Sequence, residues 1–290
     1  MSRIRLGDNQ YGKAETHVVR ITKGQTHDIK DLNVSIALAG DFAESHLEGD
    51  NSKVVPTDTQ KNTVFAFASE PVGETEEFAL RLGRHFVKEF AAVKRARVTI
   101  EEFPWVRISV GGKRSPDAFM RRGAEKRLVL VTCTKDTEWV VAGLTDLVVL
   151  KSAGSEFWGF PKDRYTTLQE THDRILATAV TARWRYVSAG GIDWTKSYDE
   201  ARRLLLETFA TKRSLALQQT LFDMGEEVLG ARPEIAEIRL AMSNKHHFAV
   251  DLSPFGLENT NEVFYASDRP YGLIEGTVTR DDAPDGALAW

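Results

Sequence analysis

Four short segments of this 290-residue chain hold side chains that can move protons or grip a flat ligand. Tyr11-Gly12-Lys13 opens a strand otherwise poor in positive charge, although strand-end lysines are ordinarily solvated. VVPTDTQKNT at 54–63 sets Pro56, Thr57 and Asp58 before a polar helical turn. That pattern reads as a helix N-cap, and capping by itself would account for Thr57 and Asp58. EFWGFPKDRYTTLQETHDRI at 156–175 groups Phe157, Trp158 and Phe160 around Gly159, which suits either a loop presenting a ring face or a plug for the core. SNKHHF at 243–248 is a polar cluster entering an apolar strand. Neighbours on a strand point to opposite faces, so His246 and His247 are a poor chelating pair.

Other chemistries lack their residues. No GxGxxG follows a strand and no GxxxxGK[ST] occurs, so both phosphate-cradling loops are missing. The single cysteine, Cys133, excludes an intramolecular disulfide and a cysteine-held metal cluster, and is expected to be a small buried hydrophobe. Lys plus Arg total 38 against 42 Asp plus Glu, a formal charge of −4, which gives no footprint for nucleic acid or an anionic membrane. Apolar stretches such as Trp139–Leu150 are interrupted by Gly143, Thr145 and Asp146, short of the ~20 apolar residues of a spanning helix. Met1–Gln10 has no apolar signal core and the last residues do not match Ser-Lys-Leu, so a cytoplasmic location is expected.

Elements able to position the four segments are legible from periodicity. Lys13–Thr22 is strand-like, and Leu32, Val34, Ile36 and Leu38 alternate with Asn33, Ser35 and Ala37 as a half-buried strand. Phe78, Leu82, Phe86, Phe90 and Val93 recur at helical spacing, with Glu74, Glu76 and Glu77 before them and Lys88, Lys94 and Arg95 after, as a helix dipole favours. Arg97–Val110 and Arg127–Val141 read as two strands, with Gly111–Pro116 as a polar hairpin tip. Strands at 140–151 and 174–187, helices at 198–208 and 215–229, and strands at 234–242 and 247–252 repeat that order. The fold class expected is therefore α+β, as a tandem of two similar domains at 1–138 and 139–290.

Taken together, the four segments resemble the urate oxidase (uricase) family. YGK at 11–13, VVPTDTQKNT at 54–63, FWGF at 157–160, RYTTLQET at 164–171, DRIL at 173–176, QQTLF at 218–222 and NKHHF at 244–248 occur in family order, covering nearly the whole chain to Ser267. The resemblance implies the tunnelling fold (T-fold): two tandem domains, each with four antiparallel strands backed by two helices. Four chains would assemble into a β-barrel tunnel, with edge strands pairing across subunits. It implies a homotetramer with active sites shared between subunits, urate and dioxygen as partners, and no cofactor or metal.

By the same resemblance, Phe157 stacks on the purine and Arg174 clamps its anionic edge, a planar fork suited to two parallel hydrogen bonds. Gln218 meets the opposite edge, one donor and one acceptor against an N–H beside a carbonyl. Leu217 contributes only a backbone N–H, which leaves its side chain free to vary. Thr57 and Asp58 close the pocket from a neighbouring chain. Lys13, Thr57 and His246 form the catalytic trio, and Asn244 holds oxygen or water above the ring. A partly desolvated lysine can act as base through a hydroxyl, and histidine can relay the same proton. Pro56 stands where the family often has alanine, and His247 where an aromatic is common, so His247 is left outside the site. The alternatives are another T-fold enzyme acting on a pterin or purine, or a urate-binding oligomer without activity. A glutamate in place of Gln218 would favour the former, and loss of Lys13 or Thr57 the latter.

Overall fold

The computed structural model describes residues 4–290, and these form two compact units. The first takes in the described residues up to Gly143, with 184–196 and 284–290; the second comprises 144–183 and 197–283.

The first unit begins with β1 (Tyr11–Thr22), β2 (Asp28–Gly40), the short α1 (Ala43–Leu47), α2 (Thr57–Phe67) and α3 (Thr75–Glu89). It continues through β3 (Val93–Glu102), β4 (Trp105–Val110), β5 (Lys113–Arg121), β6 (Lys126–Thr134) and the start of β7 (Glu138–Lys151). Its sheet runs β1-β2-β3-β6-β7, and β4-β5 is a separate antiparallel ribbon. Phe78, Leu82 and Phe86 place one face of α3 on this sheet, and all three are fully buried. Each such side chain contributes about 1.5–3 kcal/mol of burial. Beneath them Ala96, Val98 and Ile100 of β3 lie opposite Cys133, Val131 and Val129 of β6 on the same inner face. Gly83 lets the helix approach, since a Cβ there would stand 2.7 Å from Cys133 Sγ. Burial pushes the Cys133 thiol up to about 12, as an inert core residue. The first turn of α3 is tied down by Glu76, whose two carboxylate oxygens each accept from Arg127 Nη2 of β6 at 2.7 Å.

The second unit continues with the rest of β7, β8 (Leu176–Tyr186), α4 (Trp194–Thr211), α5 (Leu217–Ala231) and β9 (Ile235–Asn244). It ends with the β10 (His246–Ala249) and β11 (Phe264–Ser267) ribbon and β12 (Leu273–Thr279), in the order β7-β8-β9-β12. The β7, β8 and α4 elements each pass from one unit to the other along their length. In each half, two strands, two longer helices and a strand are followed by an inserted two-stranded ribbon and a closing strand. No helix among the described residues is long and apolar enough to cross a membrane.

Several boundaries differ from the sequence expectation. Helix α3 stops at Glu89 because Phe90 is already extended, so Val93, Lys94 and Arg95 belong to β3 and only Lys88 lies in the last turn. Arg97–Val110 is two strands, not one, divided at Phe103-Pro104: Phe103 N–H still donates to the Asp31 carbonyl in the β2–β3 register, and Pro104 has no N–H to carry the ladder on. Only Gly111-Gly112 makes the following turn, both at positive φ (57° and 79°), and Lys113–Pro116 already belongs to β5. Arg127–Val141 folds back on itself at 135–137, closed by Thr134 N–H to the Thr137 carbonyl at 2.9 Å.

Candidate active site

Six of the nine expected site residues belong to the second unit, and a small backbone ladder positions three of them. Residues 154–157 run along its middle. On one side Phe157 and Thr171 exchange N–H···O bonds (2.8 and 2.9 Å) and Arg174 N–H donates to the Ser155 carbonyl (2.9 Å). On the other, Glu156 N–H donates to the Ser214 carbonyl (2.7 Å) and Ser214 N–H to the Gly154 carbonyl (3.0 Å). Ser214 leads straight into α5, where Thr220 Oγ1 donates to Ser214 Oγ at 2.7 Å. Phe157, Arg174 and the start of α5 are thereby indexed to one another through main chain. Glu156 clips the same ladder with its side chain, accepting from Trp158 Nε1 (2.7 Å) and Arg213 Nε (2.5 Å). These two donors hold its carboxyl below the usual range.

Gly159, at φ 73°, turns the chain between the two phenyl rings, so that Phe157 and Phe160 stack at 5.0 Å and 17°. The Arg174 guanidinium lies 5.1 Å from the Phe157 ring centroid. It is half-buried, burial lowers its pKa, and its Nε is buried without an acceptor. No carboxylate among the described residues pairs with it. A desolvated cation without a counter-ion is costly, and an anion entering beside it would offset that cost.

Arg174 lines a cleft of about 170 Å³ together with Gln169, Leu176, Asn244, His246 and Phe248. Asn244 ends β9; its N–H donates to the Gly272 carbonyl at 2.9 Å, while its side-chain Oδ1 is buried and unpartnered. His246 opens β10 and stacks on Phe248 (5.7 Å, 28°). His247, left outside the site on sequence grounds, lines the same cleft and donates Nδ1–H to the Lys245 carbonyl at 3.0 Å. Arg174, Asn244 and His246 thus meet in one cleft, with Phe157 against the guanidinium. Leu217 and Gln218 are the first two residues of α5 and reach this group only through the Ser214 ladder. Gln218 is exposed, and the N–H groups of this first turn have no intrahelical acceptor. The Leu217 side chain is buried in the core, so its identity is fixed by packing rather than free to vary.

Lys13, Thr57 and Asp58 belong to the first unit. Tyr11 Oη accepts from Val55 N–H at 2.7 Å, tying the segment before α2 to the strand that carries Lys13. The N-cap of α2 is Pro56, with no side-chain cap bond, so the capping expected of Thr57 and Asp58 does not occur. Proline arrives extended (ψ 138°) and makes Thr57 the first helical residue, one position too late to cap. Asp58 instead accepts from Lys61 (2.5 Å) and Asn62 (2.9 Å), and Lys61, with a smaller effect from Lys13, lowers its pKa. Thr57 is exposed, with no side-chain hydrogen bond among the described residues. Sequence reasoning missed the Tyr11 and Glu156 contacts; the one available signal was Tyr11 standing two residues from Lys13, on the same strand face. Among the described residues no three His, Cys, Asp or Glu side chains cluster as metal ligands.

Comparison with known proteins places these residues in a family. The profile described as uricase matches residues 9–132 and 140–275. The chain is 52% identical to the uricase of Arthrobacter globiformis over 290 residues, covering all of this chain and 94% of that one. It is 38% identical to the uricase of Dictyostelium discoideum, with 95% and 97% covered. The crystal structure of the A. globiformis uricase superposes with a TM-score of 0.93 at 51% identity, covering 98% of each chain.

Proposed function

The chain belongs to the uricase family, and from that premise we propose that it oxidises urate, converting urate, dioxygen and water to 5-hydroxyisourate and hydrogen peroxide. Urate loses two electrons, dioxygen takes them with two protons, and water supplies the oxygen left on the ring. The atoms balance without a further reactant. The observation that carries this reading is Arg174, a half-buried guanidinium without a carboxylate, beside a phenyl ring and in one cleft with the unpartnered amide oxygen of Asn244.

A planar anion stacked on Phe157 would give Arg174 its missing charge and two parallel acceptors. Gln218 would hold the opposite edge with its amide, and Leu217 would donate its backbone N–H. Thr57 and Asp58 would donate theirs from a neighbouring subunit. Both peptides open helices, α5 and α2, whose positive ends favour an anion. The Thr57 hydroxyl, released from capping, can accept and donate at once, so it links the Lys13 amine to a substrate proton. His246 steadies the same chain, and Asn244 holds dioxygen and then the water that replaces peroxide. In this reading the protein binds, deprotonates and shields, and the substrate itself is the reductant. The working form is a cytoplasmic homotetramer whose T-fold domains, 1–138 and 139–290, share sites across subunits.

The test is urate binding without oxygen. Equilibrium dialysis under anaerobic conditions should show Arg174→Ala binding urate about a hundredfold more weakly than the parent, as loss of a charge-assisted pair of hydrogen bonds requires. Equal affinity in the two proteins would remove Arg174 from the site.

A further inference from the structure

The ladder between β1 and β2 changes register between Lys13 and Thr16. After the change Thr16 lies opposite Val34 and Val18 opposite Leu32, all four buried on the helix-backed face. Before it, Lys13 lies opposite Ile36 and Tyr11 opposite Leu38, again two buried residues of that face. Directly opposed residues of an antiparallel pair share a face, so Tyr11 and Lys13 project to the helix side. Had the register of Thr16 continued, Lys13 would stand opposite Ala37 and project to the other side, because a one-residue slip reverses every side chain. The change is made by two residues, Ala14 and Glu15, standing against Ser35 alone. Glu15 takes φ 56°, and its N–H leaves the ladder to donate to Ser35 Oγ at 2.9 Å. A left-handed conformation at a non-glycine residue is uncommon and must be held by its surroundings.

We propose that the Ala14–Glu15 bulge, anchored by the Ser35 hydroxyl, is the device that turns Lys13 toward Thr57, which makes Glu15 and Ser35 positioning residues for the oxidation. The inference rests on the reading of Lys13 and Thr57 as proton-handling groups. On the helix side Tyr11 reaches Val55, two residues before Thr57, and the Lys13 charge is felt at Asp58, the next residue. Gly12, between them, crosses the partner strand so closely that a Cβ would stand 1.8 Å from the Ile36 carbonyl oxygen. A bulge beside a catalytic group that re-aims its side chain is a recurrent use of this irregularity.

Three variants test the device against the parent, each checked first for the parental oligomer and a cooperative thermal transition. Glu15→Pro cannot take φ 56° and has no N–H for Ser35, so the bulge cannot form; the regular ladder that remains puts Lys13 opposite Ala37, on the other face. This substitution should lower kcat about a hundredfold, the cost of a misplaced group, while anaerobic urate affinity stays within about tenfold because Arg174 and Phe157 are untouched. Ser35→Ala should lower kcat about tenfold with KM little changed, since only the anchor of the bulge is lost. Adding Glu15→Gly to Ser35→Ala should restore most of kcat, because glycine adopts that φ without support. A folded Glu15→Pro variant with parental kcat would overturn the inference. Should Glu15→Pro fail to fold, unchanged kcat in Ser35→Ala would overturn it, and so would a loss that Glu15→Gly leaves unrepaired. A parent that never oxidises urate would refute the functional reading instead, a separate result.

Discussion

Arg174 Nε and Asn244 Oδ1 are buried polar atoms without partners, and both residues line one cleft. Buried polar atoms are paired in nearly all proteins, so two unpaired ones on residues that share a cleft mark it as a candidate ligand site. On the proposed reading the ligand offers an anionic edge to the guanidinium, a donor to the amide oxygen and a flat face to Phe157. Thr57 adds a different argument, since it opens α2 but caps nothing. Its hydroxyl is thus available for proton transfer, and general acid–base groups of this kind are worth ~10²–10⁴ in rate. Thr57→Ala should therefore lower kcat at least about a hundredfold while Thr57→Ser keeps most of it. Steady-state kinetics with urate would show this, and a Thr57→Ala enzyme with parental kcat would remove the hydroxyl from the mechanism.

The elements that aim these residues were legible to different degrees. Strand β2 and helix α3 are plain in the sequence because their inner faces are strictly periodic, as in Leu32–Leu38 and Phe78–Phe86. The hairpins that divide Arg97–Val110 and Arg127–Val141 were hidden, because apolar residues continue on both sides of the break. The candidate site residues stand in family-like strings, whereas what holds them leaves no mark in the sequence. The ladder joining 154–157, 171–174 and 214 links three distant segments through main chain, which leaves no periodic signal. The bulge at Ala14–Glu15 is silent for a similar reason, since Ala and Glu are unremarkable strand residues and only the paired register reveals the switch of face. At this scale the Glu76–Arg127 pair gives a stability prediction. Glu76 is fully buried at the start of α3, and desolvation raises its pKa against the pull of Arg127. Arg127→Ala would strand that carboxyl and should destabilise the fold by about 3–5 kcal/mol. Chemical denaturation would register the loss, and a change below about 1 kcal/mol would show that the pair does not hold α3 to the sheet.

For the whole molecule, Lys13, Thr57 and Asp58 belong to one compact unit and the residues around the Arg174 cleft to the other. If a working site takes Thr57 from one subunit and Arg174 from the next, two inactive variants can repair each other. Mixed oligomers of Thr57→Ala and Arg174→Ala subunits should recover activity, because some sites then carry neither substitution. Mass spectrometry should establish subunit exchange first; exchanged oligomers that stay inactive would place the whole site within one subunit. The most direct measurement for the account as a whole follows oxygen uptake, urate absorbance and peroxide together in chelator-treated parent protein. One urate and one dioxygen lost for each peroxide formed, with no metal or flavin added, is the predicted result. Urate that binds tightly but is never consumed would contradict it.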